Sequence, residues 1–424
     1  ERIAPRPRLM RDAGYHTYSA GKWHLGTAEE HSPRAAGFER HFNLTQGAAA
    51  HYGSTGFHEG GSLYREDGKD AQFPEGAYAP EFYTDRLIEY IDSNRGDGQP
   101  FFAYAAYTSP HWPLQVPEQY LDLYAGRYDD GYDVLRERRF EAAKQAGVIS
   151  ADHELPPRNP AVVPWNNLSD EEKRIEAREM ELYASLLHHF DDQIGRLLDY
   201  LKSANLYDNT LIVFMSDNGA AADDFYNRGG YSEYLQAHYD NGYENMGKPG
   251  SFVSYGLSWA EAGSAPFSRH KGYTRQGGIA ASMIAAGRSV DRSGVINDSY
   301  LTVMDLAPTF LELAGAEYPS DAGLRPMLGE SMADLLAGNT HAAHDDDYTT
   351  VLYYEGRAFV RQDDWKLVNW EPPFDESTFE LYNLGDDPGE TTNLRESEPE
   401  RYAEMVALWH ARRQALGILL PEGQ

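Results

Sequence analysis

Cysteine is absent from all 424 residues. That excludes disulfides, a thiolate nucleophile and any cysteine-bound metal, and it leaves the redox compartment open. Long apolar runs are also missing: none approaches the ~18 residues that a membrane-spanning helix needs. Positive charge is scarce, with 37 Lys and Arg against 67 Asp and Glu, a formal net charge of −30. A surface this acidic repels nucleic acid and anionic lipid, which argues against both as partners. There are no internal repeats and no low-complexity tracts. What remains is globular in composition, 41% hydrophobic and 13% aromatic, and long enough for one large domain or two smaller ones.

Periodicity sketches the organisation. "YHTYSA" (15–20) is rich in Tyr and Thr and reads as a strand, preceded by a short helix near Leu9 to Ala13. Residues 27–78 read as loop. "PEFYTDRLIEYIDSN" puts Phe82, Leu87, Ile88 and Ile91 on one helical face. "PFFAYAAY" (100–107) looks like a strand buried on both faces, and "TSPHWPLQVP" after it is too proline-rich for regular structure. Ser169 and Glu172 form a capping box opening a long helix, whose apolar stripe runs through Leu182, Leu186, Leu187, Phe190, Ile194, Leu197 and Leu201. "NTLIVFMSDNGA" (209–220) is another strand with an abrupt polar end, and a Gly- and Tyr-rich loop fills 221–278. "IAASMIAAG" reads as a strand, "LTVMDLAPTFLELAG" as a helix, and "TVLYYEGRAFVRQDDWKLVNW" as antiparallel strands before a terminal helix. The pattern predicts an α/β fold: a mostly parallel sheet sandwiched by helices over residues 1–335, and a smaller C-terminal α+β subdomain with an antiparallel sheet over 336–424.

Chemistry gathers where the predicted strands end. The chain has only eight lysines, and one falls in "GYHTYSAGKWHLG" (14–26), between two glycines and two residues before a histidine. The three strand ends deliver Lys22 and His24, then His111, then Asp217 and Asn218. Ligands of open α/β sheets bind outside the carboxyl ends of strands, so these clusters are expected to meet at one sheet edge. Lys271, in "SRHKGYTRQGG", is the other candidate cation. Asp217 with Asn218 is an oxygen-donor pair suited to Ca²⁺, with Mg²⁺ the second choice. Two lysines and two histidines around a carboxylate-bound cation suit a tetrahedral oxyanion, as in phosphoryl or sulfuryl transfer.

These segments resemble the sulfatase family. "GYHTYSAGKWHLG" is similar to its second signature, "SPHWPLQVP" to its active-site histidine loop, "FMSDNGA" to its metal-binding strand end and "WAEAGSAPFSRHKGYTRQGGI" to its lysine segment. "GYENMGKPGSFVSYGLSWAEAGSAPF" resembles the arylsulfatase branch, and "ELYNLGDDPGETTNL" the usual C-terminal ending. The resemblance implies an alkaline-phosphatase-like fold with one Ca²⁺ per site. It implies that Lys22 and Lys271 bind sulfate, and that His24 contacts the nucleophile and assists collapse of a hemiacetal sulfate. His111 would help protonate the departing alcohol or phenol, and Asp217 and Asn218 would be Ca²⁺ ligands.

The family's nucleophile is a formylglycine made from the Cys or Ser of a Cys/Ser-x-Pro-x-Arg motif, installed by a formylglycine-generating enzyme. The sequence reads as having no such motif, upstream of the Lys22 segment or elsewhere, and "APRPR" (4–8) has neither Cys nor Ser. The expectation is therefore an N-terminally truncated chain, inactive by itself. "RQGGIAAS" departs from the family's "EGGIR.P", with Gln276 and Ala280 in place of a Glu and an Arg. The expected function is hydrolysis of a small-molecule or glycan sulfate ester. The alternatives are a phosphonate monoester or phosphodiester hydrolase of the same superfamily, or a non-catalytic protein that binds sulfated glycans. By resemblance, the compartment is periplasmic or extracellular.

Overall fold

The computed structural model describes residues 3–319 and 323–420. Five strands make the main sheet: β1 (His16–Lys22), β2 (Arg40–Leu44), β3 (Tyr64–Glu66), β4 (Lys69–Ala71) and β5 (Phe101–Ala106), in the order β4-β3-β2-β1-β5. β1 is the axis, parallel to both β2 and β5, while β3 and β4 extend the sheet antiparallel. Its inner residues Thr17 to Gly21 are all buried, as a strand covered on both faces must be.

On one face lies α2 (Ala79–Ser93), which follows the short α1 (Arg6–Asp12). It buries Tyr83, Leu87, Tyr90 and Ile91, spaced i, i+4, i+7, i+8, against Tyr18, Ala20, Phe42 and Leu44 of the sheet. α3 (Asp170–Ser203) opens on the expected capping box, with the Ser169 side chain accepting from the Glu172 amide. Its stripe is narrower than expected. Leu182, Leu186, Phe190 and Leu201 are buried, but Leu187 is 42% exposed.

Four further expectations change. The region 27–78 is not all loop, since it contributes β2, β3 and β4. β2 reads "RHFNL": Phe42 and Leu44 alternate with His41 and Asn43, but the run is too short to stand out, and all four residues are buried. Burial is tolerable because Asn43 Nδ2 donates to Ser19 Oγ and to the Gly21 carbonyl, at 3.0 and 3.1 Å. β5 is not covered all round. Its edge away from β1 pairs with no strand among the described residues, and Tyr104 is 47% exposed. The strand after α3, β6 (Leu211–Met215), does not join the parallel sheet either. It pairs antiparallel with β7 (Met283–Gly287). The 221–278 stretch, expected as loop, holds helices at Ser232–His238, Gly256–Ser264 and Gln276–Ile279.

After α4 (Leu306–Leu313) the C-terminal subdomain forms an antiparallel sheet. Its strands are β8 (Thr349–Tyr354), β9 (Arg357–Gln362), β10 (Trp365–Asn369) and β11 (Glu380–Asn383), in the order β11-β10-β9-β8. α5 (Pro399–Leu416) presses Met405 and Trp409 onto Ala358, Val360, Leu367 and Leu381. Trp409 is completely buried there. Removing so large a ring leaves a cavity that a packed sheet cannot close. Trp409→Ala is expected to lower unfolding stability by about 3–5 kcal/mol, read from the denaturant midpoint. Leu187→Ala, on the exposed side of α3, should shift it by less than about 0.5 kcal/mol.

Candidate active site

The end of β1 is set by a close approach that only glycine allows. A Cβ on Gly21 would stand 1.9 Å from the Ala106 carbonyl oxygen of β5, and its φ is +113°. The strand can therefore run tight against β5 and release Lys22 at its last position. His24 follows in the left-handed region, φ +52°, a conformation costing a non-glycine residue of order 1–2 kcal/mol. Its ring lies over Gly47, where a Cβ would meet His24 Cε1 at 2.6 Å.

His111 sits beyond β5. Its Nδ1–H donates to the Trp112 carbonyl at 2.9 Å, which leaves Nε2 as the free nitrogen. The ring leans on Trp112, centroid to centroid 4.2 Å. Burial above all, then Lys271, Lys22 and His51, push its pKa down to about 3, against the bond to Trp112. In the free protein His111 is neutral.

Sequence reading missed the group that holds this loop. His51 is buried, and its Nε2–H donates to the His111 carbonyl at 3.3 Å while Thr108 Oγ1 donates to Nδ1 at 3.4 Å. Its own amide is fixed by Gln115 Oε1 at 2.9 Å, and Gln115 Nε2 donates on to the Ser251 carbonyl at 2.7 Å. Burial lowers His51 to about 4. "GAAAHYGST" carries no spacing that distinguishes this histidine.

Lys271 and the Asp217 turn arrive together. The Lys271 amide donates to the Ala220 carbonyl at 3.0 Å, and the Gly219 amide to the Gly278 carbonyl at 3.1 Å. A Cβ on Gly219 would stand 1.9 Å from the Gly277 carbonyl oxygen, so the two segments are locked at backbone contact. His270 supports the next residue rather than acting itself. Its Nδ1–H donates to the Lys271 carbonyl at 3.0 Å.

The electrostatics place these groups in one neighbourhood. Lys22 is lowered by burial and then by Lys271, while Asp217 opposes. His24 is lowered by burial, Lys22 and Lys271. Lys22, His24, His111, Lys271 and Asp217 thus converge from four separate segments, but from two sheets, since β6 stands apart from β1 and β5. A cleft of about 10 Å³, room for one water-sized group, lies between Lys22, Thr108, His111 and the Gly47 to Ala49 stretch. The larger cavity, about 410 Å³ beside Tyr52, Tyr78 and Glu81, includes none of these residues.

Asp217 is exposed at the end of β6. Asn218 Nδ2 donates to the Gly219 carbonyl at 2.9 Å, leaving Oδ1 free to coordinate. These are donors of the kind Ca²⁺ takes, yet two are a minority of the usual 6–8. No cluster of three or more His, Asp or Glu with metal-holding geometry occurs among the described residues. The chain does contain one Ser-x-Pro-x-Arg match that the sequence reading overlooked, Ser397 to Arg401. It leads into α5, on the exposed side of the C-terminal subdomain, with Arg401 stacked over Trp365.

Comparison with known proteins is consistent along the chain. A family model described as Sulfatase matches residues 7–316, and one described as N-sulphoglucosamine sulphohydrolase, C-terminal, matches 282–416. An uncharacterized sulfatase of Schizosaccharomyces pombe is 33% identical over 441 residues, 99% of this chain and 78% of that protein. An arylsulfatase of Klebsiella aerogenes is 34% identical over 337 residues, 77% of this chain and 71% of that one. The solved structure of the PsFucS1 sulfatase from Pseudoalteromonas sp. superposes with a TM-score of 0.60 at 17% identity, covering 97% of this chain and 73% of its own.

The depressed histidines generate a direct test. The NMR signals of the His51 and His111 rings should stay fixed between pH 8 and 5, whereas unfolded histidines titrate near ~6.5. The unfolded chain therefore binds more protons as pH falls below ~6.5. His51 alone should remove about 1.4 kcal/mol of stability per pH unit down to its folded pKa of about 4. A midpoint near pH 6.5 for either ring would contradict its assigned burial.

Proposed function

The chain belongs to the sulfatase family, and from that premise we propose that it hydrolyses sulfate esters with a preference for aryl sulfates, releasing the phenol or alcohol and inorganic sulfate. One observation carries the reading: two lysines, far apart in sequence, lie in each other's field beside two neutral histidines and one carboxylate. The aryl preference is supported by the Klebsiella aerogenes arylsulfatase relative. An aromatic wall behind His111 agrees with it, since Trp112 meets Phe225 at 5.1 Å, and Phe225 meets Tyr231 at 5.4 Å.

In this proposal Lys22 and Lys271 neutralise the sulfate oxygens as charge develops, each such contact contributing roughly 10²–10³-fold in rate. His111 is neutral in the free enzyme, where burial above all, and then two lysines, depress it. The negative ester offsets those lysines and raises its proton affinity, so that Nε2–H can donate to the leaving oxygen. His24, beside Lys22, takes up a proton on the nucleophile's side. The Asp217 carboxylate and the Asn218 amide oxygen would hold part of a Ca²⁺ shell, and the ion, when bound, would supply Lewis acidity at sulfate. A formylglycine, installed by a formylglycine-generating enzyme, would supply the nucleophile.

The test is a kcat/KM series over aryl sulfates of rising phenol pKa, using the full gene product matured with that enzyme. His111→Ala should cost little for activated esters and up to roughly 10²–10⁴-fold for basic leaving groups. Lys271→Ala should depress the whole series equally. A flat response to His111→Ala removes its role as acid, and faster turnover of phosphonate monoesters than of sulfates would replace the substrate assignment.

A further inference from the structure

The segment that carries Lys271 is held from outside, by a buried charge pair of the C-terminal sheet. Lys366 of β10 and Glu390 both have side chains with no exposure, and they meet at 2.7 Å. Lys366 Nζ also donates to the Thr274 carbonyl at 2.7 Å and to Gln276 Oε1 at 3.2 Å. The second Glu390 oxygen accepts from the Gln276 amide at 2.6 Å, and the Glu390 carbonyl accepts from Arg275 Nη1 at 2.7 Å. Arg275 is balanced in turn by Glu380 at 2.6 Å. Three consecutive residues, 274 to 276, are thus bonded to one subdomain. The next two residues, Gly277 and Gly278, are stacked against the Asp217 turn.

Charge balance accounts for the neutral residue at 276. Lys366 faces Glu390 and Arg275 faces Glu380, so a second carboxylate at 276 would leave an uncompensated buried charge, which is expensive. Glu390 itself sits at φ +55°, a strained position for a side-chain-bearing residue, which persists where the surroundings over-determine it. Buried ion pairs contribute little net stability compared with apolar replacements, so packing alone is a poor reason for this one.

We propose that Lys366 and Glu390 are positioning residues for the active site, fixing the 274–278 segment and through it both Lys271 and the Asp217–Asn218 turn. The proposal rests on Lys271 and Asp217 being site residues, as set out above. The C-terminal sheet is then part of the catalytic framework rather than an appendage.

Glu390→Gln keeps the shape and removes the charge. Its amide hydrogen exchange should accelerate roughly 10-fold or more at Gly219, Lys271, Gly277 and Gly278, the effect of leaving one buried polar partner unsatisfied. The amides of β1 and β5 should keep their rates. Unchanged exchange at those four, or a uniform rise across the protein, overturns the proposal whether or not the protein turns over sulfate esters. In the matured full gene product, the variant should lose roughly 10²-fold in kcat/KM, and much less when Lys271 is already alanine. Additive losses in that cycle also overturn it. Absence of sulfate-ester turnover in the parent enzyme would instead defeat the functional reading, while exchange still judges the pair. Should Glu390→Gln not fold, Gln276→Ala removes only one Lys366 bond and runs the same two measurements, with the same outcomes deciding.

Discussion

Lys22 lies in the field of Lys271, like charge facing like charge, and the rest of the site depends on the fold holding them there. Lys22 is depressed by burial and by Lys271, a cost the protein accepts because nothing in the free molecule relieves it fully. On the proposed reading, an oxyanion placed between them would relieve it, and that differential would make the cleft a binding site. Two backbone contacts enforce the arrangement. Gly21 lets β1 close on β5, and Gly219 lets the Asp217 turn close on the Lys271 segment.

The cleft works against the protein's own field. A net charge of −30 repels anions at long range, so the cationic pair must act locally, where burial limits screening by salt. The histidines fit this economy of positive charge. His24 and His111 are held neutral in the free protein, so the cleft stays accessible to an anion without carrying four adjacent cations. In the proposed mechanism His111 would gain its proton only when an anion arrives to favour it.

Much of this was legible in the sequence wherever a residue and its neighbours point one way. The glycines around Lys22, the capping box at Ser169 and Glu172, and the polar ends of apolar strands each pair a local rule with a position. β2 was not legible, because it is short and its buried His41 and Asn43 are polar, with Asn43 Nδ2 and His41 Nε2 bonded to β1 and to the Gly68 amide in ways that only the fold supplies. His51 was invisible for the same reason, since its role lies in a backbone carbonyl 60 residues away. The pairing of β6 with β7 instead of β5 could not be read from apolar runs, which carry no direction. Gln276 stood out only as a departure. Its meaning appears once Lys366, 90 residues on, is seen beside it.

The central claim is that Lys22 and Lys271 share one oxyanion. The most direct measurement is a crystal structure of the protein soaked with inorganic sulfate. The account predicts a sulfate bridging Lys22 Nζ and Lys271 Nζ at about 2.7–3.2 Å, beside His111 Nε2. Sulfate bound elsewhere with the two ammonium groups aimed apart would contradict it.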